Sequence, residues 1–322
     1  MFKTIAINTI KLLIAAGLIY WLLQSGKLDL SLLRDLTQFP LAIIIACLLQ
    51  FLNYLLCSWR WKLIISSRSN IFMPLWEIIK VNWIGQFFSS VLPGSVSGDL
   101  IKLFYIQSMD KELSKKFVFA SILIDRVMGL SGLILLVGIS SLLFSGHILA
   151  SAPAMEGLLK INYMLTVAVI SGLLLFFFCH PIVEKLLQLG RDKTKLSGIF
   201  DKILTLFTDL VSIKQRMIRS VLISILVQFI AVLIFWSLIS PFVAGKMDFV
   251  QALAFIPIGL MTLALPIAPS GLGVGHAIFQ KLFEFSGIDN GASLFNLYFV
   301  ITMVINILGV IPYLLFKNKK AS

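Results

Sequence analysis

Residues 90 to 102 read SVLPGSVSGDLIK, and residues 265 to 279 read LPIAPSGLGVGHAIF. Both stretches gather proline, glycine and a few polar groups inside otherwise apolar sequence. Proline removes a backbone donor and glycine loosens the chain, so each centre leaves amide groups without helical partners. Such amides bind anions well, above all where a helix begins. In the first stretch Pro93 and Gly94 mark a break, and a helix starting near Gly98 would put Asp99 in its first turn and Lys102 four residues on from Gly98, on the same face. Asp125 and Arg126 interrupt the apolar run SILIDRVMGLSGLILL. A guanidinium at membrane depth is costly and usually faces a bundle interior or a cavity, where it can hold a phosphate through two parallel hydrogen bonds. In the second stretch Pro269, Ser270, Gly271 and Gly273 expose backbone amides, and His276 adds a titratable group.

Each residue also has a plainer role. Asp99 could cap its own helix, Asp125 could be the counter-ion of Arg126, and Lys102 could anchor at the membrane surface with its stem in the apolar layer. His276 could be structural, and GLGVGH is not a nucleotide fingerprint without a preceding strand. Trp59 and Trp61 around Arg60 fit an interfacial aromatic belt.

The elements that would position these groups are helices in a bilayer. Of 322 residues, 59% are hydrophobic and 13% charged, with a mean hydropathy of +0.99. Soluble domains are about 45–50% apolar. Residues 5–24, 39–59, 117–145, 161–180, 218–244 and 292–316 are each close to or above the roughly 20 residues that cross a bilayer as helix. The fold class expected is thus an all-α polytopic membrane protein with six crossings and one integral membrane domain over 1–322. The first apolar stretch reads as a retained helix, since Lys11 interrupts it and no small-residue cleavage site follows. Cys47, Cys57 and Cys179 show no pairing or metal-ligand spacing, and no cofactor is expected.

The formal net charge of +12 marks a membrane face and does not point to nucleic acid. Lysines and arginines crowd the segment 181–219 and the positions just after the second apolar stretch. The segment 26–38 is charge-balanced, and 146–159 has no Lys or Arg. The positive-inside rule then places both termini in the cytoplasm. Residues 182–219 fit an amphipathic helix on anionic lipid or a docking patch. Parity holds if the stretches 74–93 and 250–285 enter and leave on one side, as broken re-entrant pairs. Lipid cannot satisfy their central backbone, so they must be buried by protein or line a polar cavity. Span, broken pair, span occurs at 39–145 and again at 218–316, which fits an inverted repeat joined by the basic loop 181–219.

Four motifs, SWRWKLI at 58–64, the run from Asn82 to Lys102, IDRVMGL at 124–130 and LPIAPSGLGVGHAIF, give the chain a resemblance to a known family. It is similar to the integral membrane region of lysylphosphatidylglycerol synthetases and its stand-alone, flippase-like relatives. Ser97 stands where many relatives have the first glycine of Gly-Gly-Asp, and Gly275-His276 where many have a basic-acidic pair. With no sequence left after Ser322 for a soluble aminoacyl-transferase domain, synthetase activity is not expected. The resemblance implies movement of a lipid with an anionic head group, a phospholipid or a polyprenyl-phosphate-linked lipid, between leaflets of the bacterial inner membrane. On this reading Asn82, Pro93, Gly94, Gly98, Asp99, Lys102, Asp125, Arg126, Pro269, Ser270, Gly271, Gly273 and His276 handle substrate. Two other functions remain open, a membrane partner of a glycosyltransferase or lipid-synthesis enzyme, and an enzyme acting on lipid phosphate.

Overall fold

The computed structural model describes residues 31–92, 97–193, 197–264 and 274–316. Among these residues the regular structure is entirely helical. Five helices are long and apolar enough to cross a membrane, at Pro40–Ile65, Lys115–Ala150, Pro153–Phe178, Lys214–Phe242 and Gly291–Leu315. They match the second to sixth stretches expected from hydropathy. The expected first crossing at 5–24 and both termini lie outside the described residues.

After a short α1 (Ser31–Leu36), α2 runs from Pro40 to Ile65. Proline at its start is favourable, because its missing N–H would be unpaired there anyway. The helix outlasts the apolar stretch that ends at 59, because Ser58, Arg60 and Trp61 turn inward and are buried. The first broken stretch is α3 (Leu75–Val91) followed by α4 (Ser97–Met109). The second is α10 (Phe249–Ala264) followed by α11 (Val274–Glu284). Both breaks therefore fall where the prolines and glycines placed them, and the two members of each pair pack on one another. At about 25 Å, the 17-residue α3 falls short of the roughly 30 Å hydrocarbon layer.

Between these pairs lie α5 (Lys115–Ser151), α6 (Glu156–Phe178), α7 (His180–Lys193), α8 (Ser197–Ser212) and α9 (Lys214–Ile239). The last segments are α12 (Gly291–Ile307) and α13 (Val310–Leu315). Ser114 caps α5 by accepting from the amide of Phe117, and the helix bends at Phe144, where φ is −130°. The basic segment after the fourth span forms the helices α7 and α8, which pack on each other; Phe207 meets Phe176 edge-on at 5.7 Å.

α2 lies against α9, α5 against α10, and α12 against α3. Gly132 permits the crossing of α5 over α9, since a Cβ there would come 2.7 Å from the Ser224 carbonyl oxygen. Two apolar clusters result. One is built around Phe235, Phe279, Phe295 and Tyr298, with Phe279 stacked on Phe295 at 5.0 Å. The other gathers Trp61, Phe87, Phe88, Tyr105 and Tyr313. Large apolar side chains such as Leu142, Met164 and Leu222 stay exposed on the outside, an arrangement that suits lipid, where outward apolar surface costs nothing.

Candidate functional site

A cavity of about 600 Å³ opens between the two clusters, with walls from α2, α3, α4, α5, α9, α10 and α12. One side is charged and polar, and the other is aromatic and aliphatic.

The charged side is built from three helices. Arg60 on α2 is 4% exposed and donates from Nε and Nη2 to the two carboxylate oxygens of Asp125 on α5, at 2.7 and 3.0 Å. Its Nη1 donates to Ser224 Oγ on α9 at 3.0 Å. Asp99 on α4 is buried and meets Arg126 on α5 at 2.6 Å and Lys102 on its own helix at 3.8 Å. The Lys102 ammonium also lies 5.6 Å from the centroid of the Trp61 ring, within range of a cation–π attraction. Asp125 and Arg126 thus have different first partners. Neighbouring residues on a helix point about 100° apart, so the pair cannot close on itself while reaching two other helices.

Asn82 and the side chains around it form the polar floor. Asn82 is buried and donates to Ser58 Oγ at 3.2 Å. Asn306 on α12 donates to Ser90 Oγ at 2.7 Å and accepts from the Tyr54 hydroxyl. Asn53 donates to the Val227 carbonyl at 2.9 Å, and Gln228 to the Gly129 carbonyl at 3.0 Å. These bonds tie α2 and α3 to α12, and α2 and α5 to α9. Leu260 and Leu263 of α10 face the cavity with Phe295, Tyr298 and Phe299 of α12.

The structure therefore brings Asn82, Asp99, Lys102, Asp125 and Arg126 to one wall. Gly98 serves the same wall by position: a Cβ there would lie 2.1 Å from the Gly85 carbonyl oxygen, so only glycine lets α4 approach α3 this closely. His276 stands apart from the cavity lining, with its ring edge-on to Phe295 at 5.0 Å. Among the described residues, the second broken pair contributes Leu260 and Leu263 to the cavity. Pro93, Gly94, Pro269, Ser270, Gly271 and Gly273 lie outside the described residues.

Three expectations change. Asp99 is in the first turn of α4 but is held by two cations, so its role exceeds that of a cap. Asp125 pairs with Arg60. Trp61 is no interfacial anchor: it is 2% exposed and donates from its indole to Ser121 Oγ at 3.1 Å, while Trp59 remains exposed.

Sequence reasoning missed Arg60. Hydropathy set it at the end of a span, where arginine ordinarily reaches for the surface. The available signal was Ser58, Arg60 and Trp61 in a helix that had not yet met a breaker.

A protein family described as the lysylphosphatidylglycerol synthase TM region matches residues 8–312. The UPF0104 membrane protein PH1989 of Pyrococcus horikoshii is 22% identical over 291 residues, covering 84% of each chain. No solved structure matches. With the match running over most of its length, the chain belongs to the family of the lysylphosphatidylglycerol synthase TM region.

Proposed function

We propose that the protein moves a lipid with an anionic head group between the leaflets of a membrane. The observation that carries this reading is the two-sided cavity. Its cationic wall of Arg60, Lys102 and Arg126 suits a phosphate, and its leucine and aromatic wall suits the first part of an acyl or prenyl chain. Charges at this depth are costly unless they serve a pathway or a ligand.

The packing of the helices supports alternating access. If 39–145 and 218–316 are inverted halves, the corresponding elements are α2 and α9, the two broken pairs, and α5 and α12. The contact of α5 with α10 then has its counterpart in that of α12 with α3. Two such halves can rock about the contact of α2 with α9. The basic α7 to α8 segment and the charge-poor 146–159 loop favour cytoplasmic termini, and we place the protein in the cell's inner membrane.

The test is leaflet accessibility of fluorescent anionic phospholipids and a polyprenyl-phosphate lipid in proteoliposomes. Wild type should accelerate exchange, while Arg126→Ala and Lys102→Ala, checked for intact folding, should each slow it about tenfold or more, matching loss of one charge-assisted hydrogen bond. Equal rates for wild type and empty vesicles would overturn the proposal and favour a membrane partner of a lipid-building enzyme.

A further inference from the structure

We propose that the cavity is tuned to a head group bearing a single negative charge at a phosphodiester, and that Asp99 is the residue that sets this selectivity; the inference rests on the lipid reading above. Among the described residues, five carboxylate, ammonium or guanidinium side chains line the cavity: the cations Arg60, Lys102 and Arg126 and the carboxylates Asp99 and Asp125. Arg60 and Asp125 neutralise one another through two hydrogen bonds, and Ser224 takes a further Arg60 donor. Asp99, Lys102 and Arg126 leave a surplus of one positive charge. The sequence of the two breaks, residues 93–96 and 265–273, contains no acidic or basic residue.

Net charge matters here because the cavity is walled by helices in lipid, where an uncompensated charge is far more costly than in water. A phosphodiester carries one negative charge and brings the site to neutrality. A phosphomonoester carries about −1.5 to −2 at neutral pH, and a diphosphate more, so either would leave excess negative charge beside Asp99. A zwitterionic diester would leave the positive surplus in place. Asp99 therefore does chemical sorting: without it the surplus would be two, and the same wall would suit a monoester.

The test measures binding in the absence of transport. Purified protein in neutral-lipid nanodiscs is titrated at about pH 8 with fluorescent short-chain phosphatidylglycerol, a short prenyl phosphoryl sugar, phosphatidate, prenyl diphosphate and phosphatidylcholine. At least one of the two monoanionic diesters should bind about tenfold or more tightly than phosphatidate or the diphosphate, and the comparison of the two says whether glycerolipid or prenyl lipid is preferred. Asp99→Asn should move the preference at least tenfold toward phosphatidate. Lys102→Gln should move it toward phosphatidylcholine, which keeps the test decisive if Asp99→Asn does not fold. Equal affinity of wild type for phosphatidate and both diesters, or an unchanged ratio in folded variants, would overturn the inference. Diester binding with the expected shifts but no leaflet exchange would overturn the translocation reading alone.

Discussion

Arg60 and Asp125 lie 65 positions apart in sequence, and they clasp each other through two hydrogen bonds, of 2.7 and 3.0 Å, across the contact of α2 with α5. Removing one partner from a buried pair leaves an uncompensated charge, at a cost of about 3–5 kcal/mol. Arg60→Met and Asp125→Leu should each lower the melting temperature in detergent markedly. The double variant should recover much of the loss, because an apolar pair of similar volume can replace a buried ion pair. Additive losses would mean that the two side chains act independently.

Two glycines separate close packing from backbone flexibility. Gly98→Ala puts a methyl 2.1 Å from the Gly85 carbonyl and from Ser89 Oγ, and should cost about 2 kcal/mol or more or prevent assembly of α3 with α4. Gly172→Ala meets nothing within 4 Å and should be neutral or stabilising by up to about 1 kcal/mol. Thermal melts of the two variants side by side check this.

Asn306 joins α12 to α2 and α3 through Tyr54 and Ser90. Asn306→Leu removes the acceptor of the Tyr54 hydroxyl and the donor to Ser90 Oγ, and should cost about 1–3 kcal/mol. The readout is melting temperature, with Ser90→Ala giving the smaller effect.

Asp248, in the loop before α10, is bonded to His147 near the end of α5. Burial raises its pKa, but the backbone amides of Gln251 and Val250 and the His147 side chain outweigh burial and hold the carboxyl below the ordinary carboxylate range. A depressed pKa contributes stability above the unfolded value, and this is lost as pH falls through the folded one. Asp248→Asn should therefore melt slightly lower than wild type at neutral pH, by about 0.5 kcal/mol given the exposure of both side chains. Melts taken at successively lower pH should show the gap closing only below about pH 4.

The helices and their breaks were legible because hydropathy and Pro/Gly chemistry act locally. The five described spans, and the helix ends at Val91 and Ala264, follow from residues within a few positions of each boundary. The site was legible in part. Asp99, Lys102 and Arg126 were marked by charge in an apolar setting, which is a property of each residue alone. Which carboxylate meets which cation depends on separate helices brought together, Asp99 with Arg126 across 27 positions and Arg60 with Asp125 across 65, so the exchange of partners between Asp125 and Arg126 had no local sign. Arg60 was hidden for the same reason, since its burial comes from Ser224 and Asp125 and not from its neighbours in sequence.

The crossing at Gly132 has a mechanical consequence. With α5 seated directly on the Ser224 backbone, relative motion of the two helices that preserves this contact must be rotation about it, and displacement grows with distance along each lever arm. Lys115 lies 17 residues from that fulcrum, about 25 Å along the helix. A swing of only about 10° would move that end of α5 by about 4 Å at that radius, while Asp125 and Arg126, closer to the crossing, would move by a little under about 2 Å. The mouth thus widens more than twice as far as the charged wall is displaced, so that gating at the rim reaches the ion pairs in reduced measure.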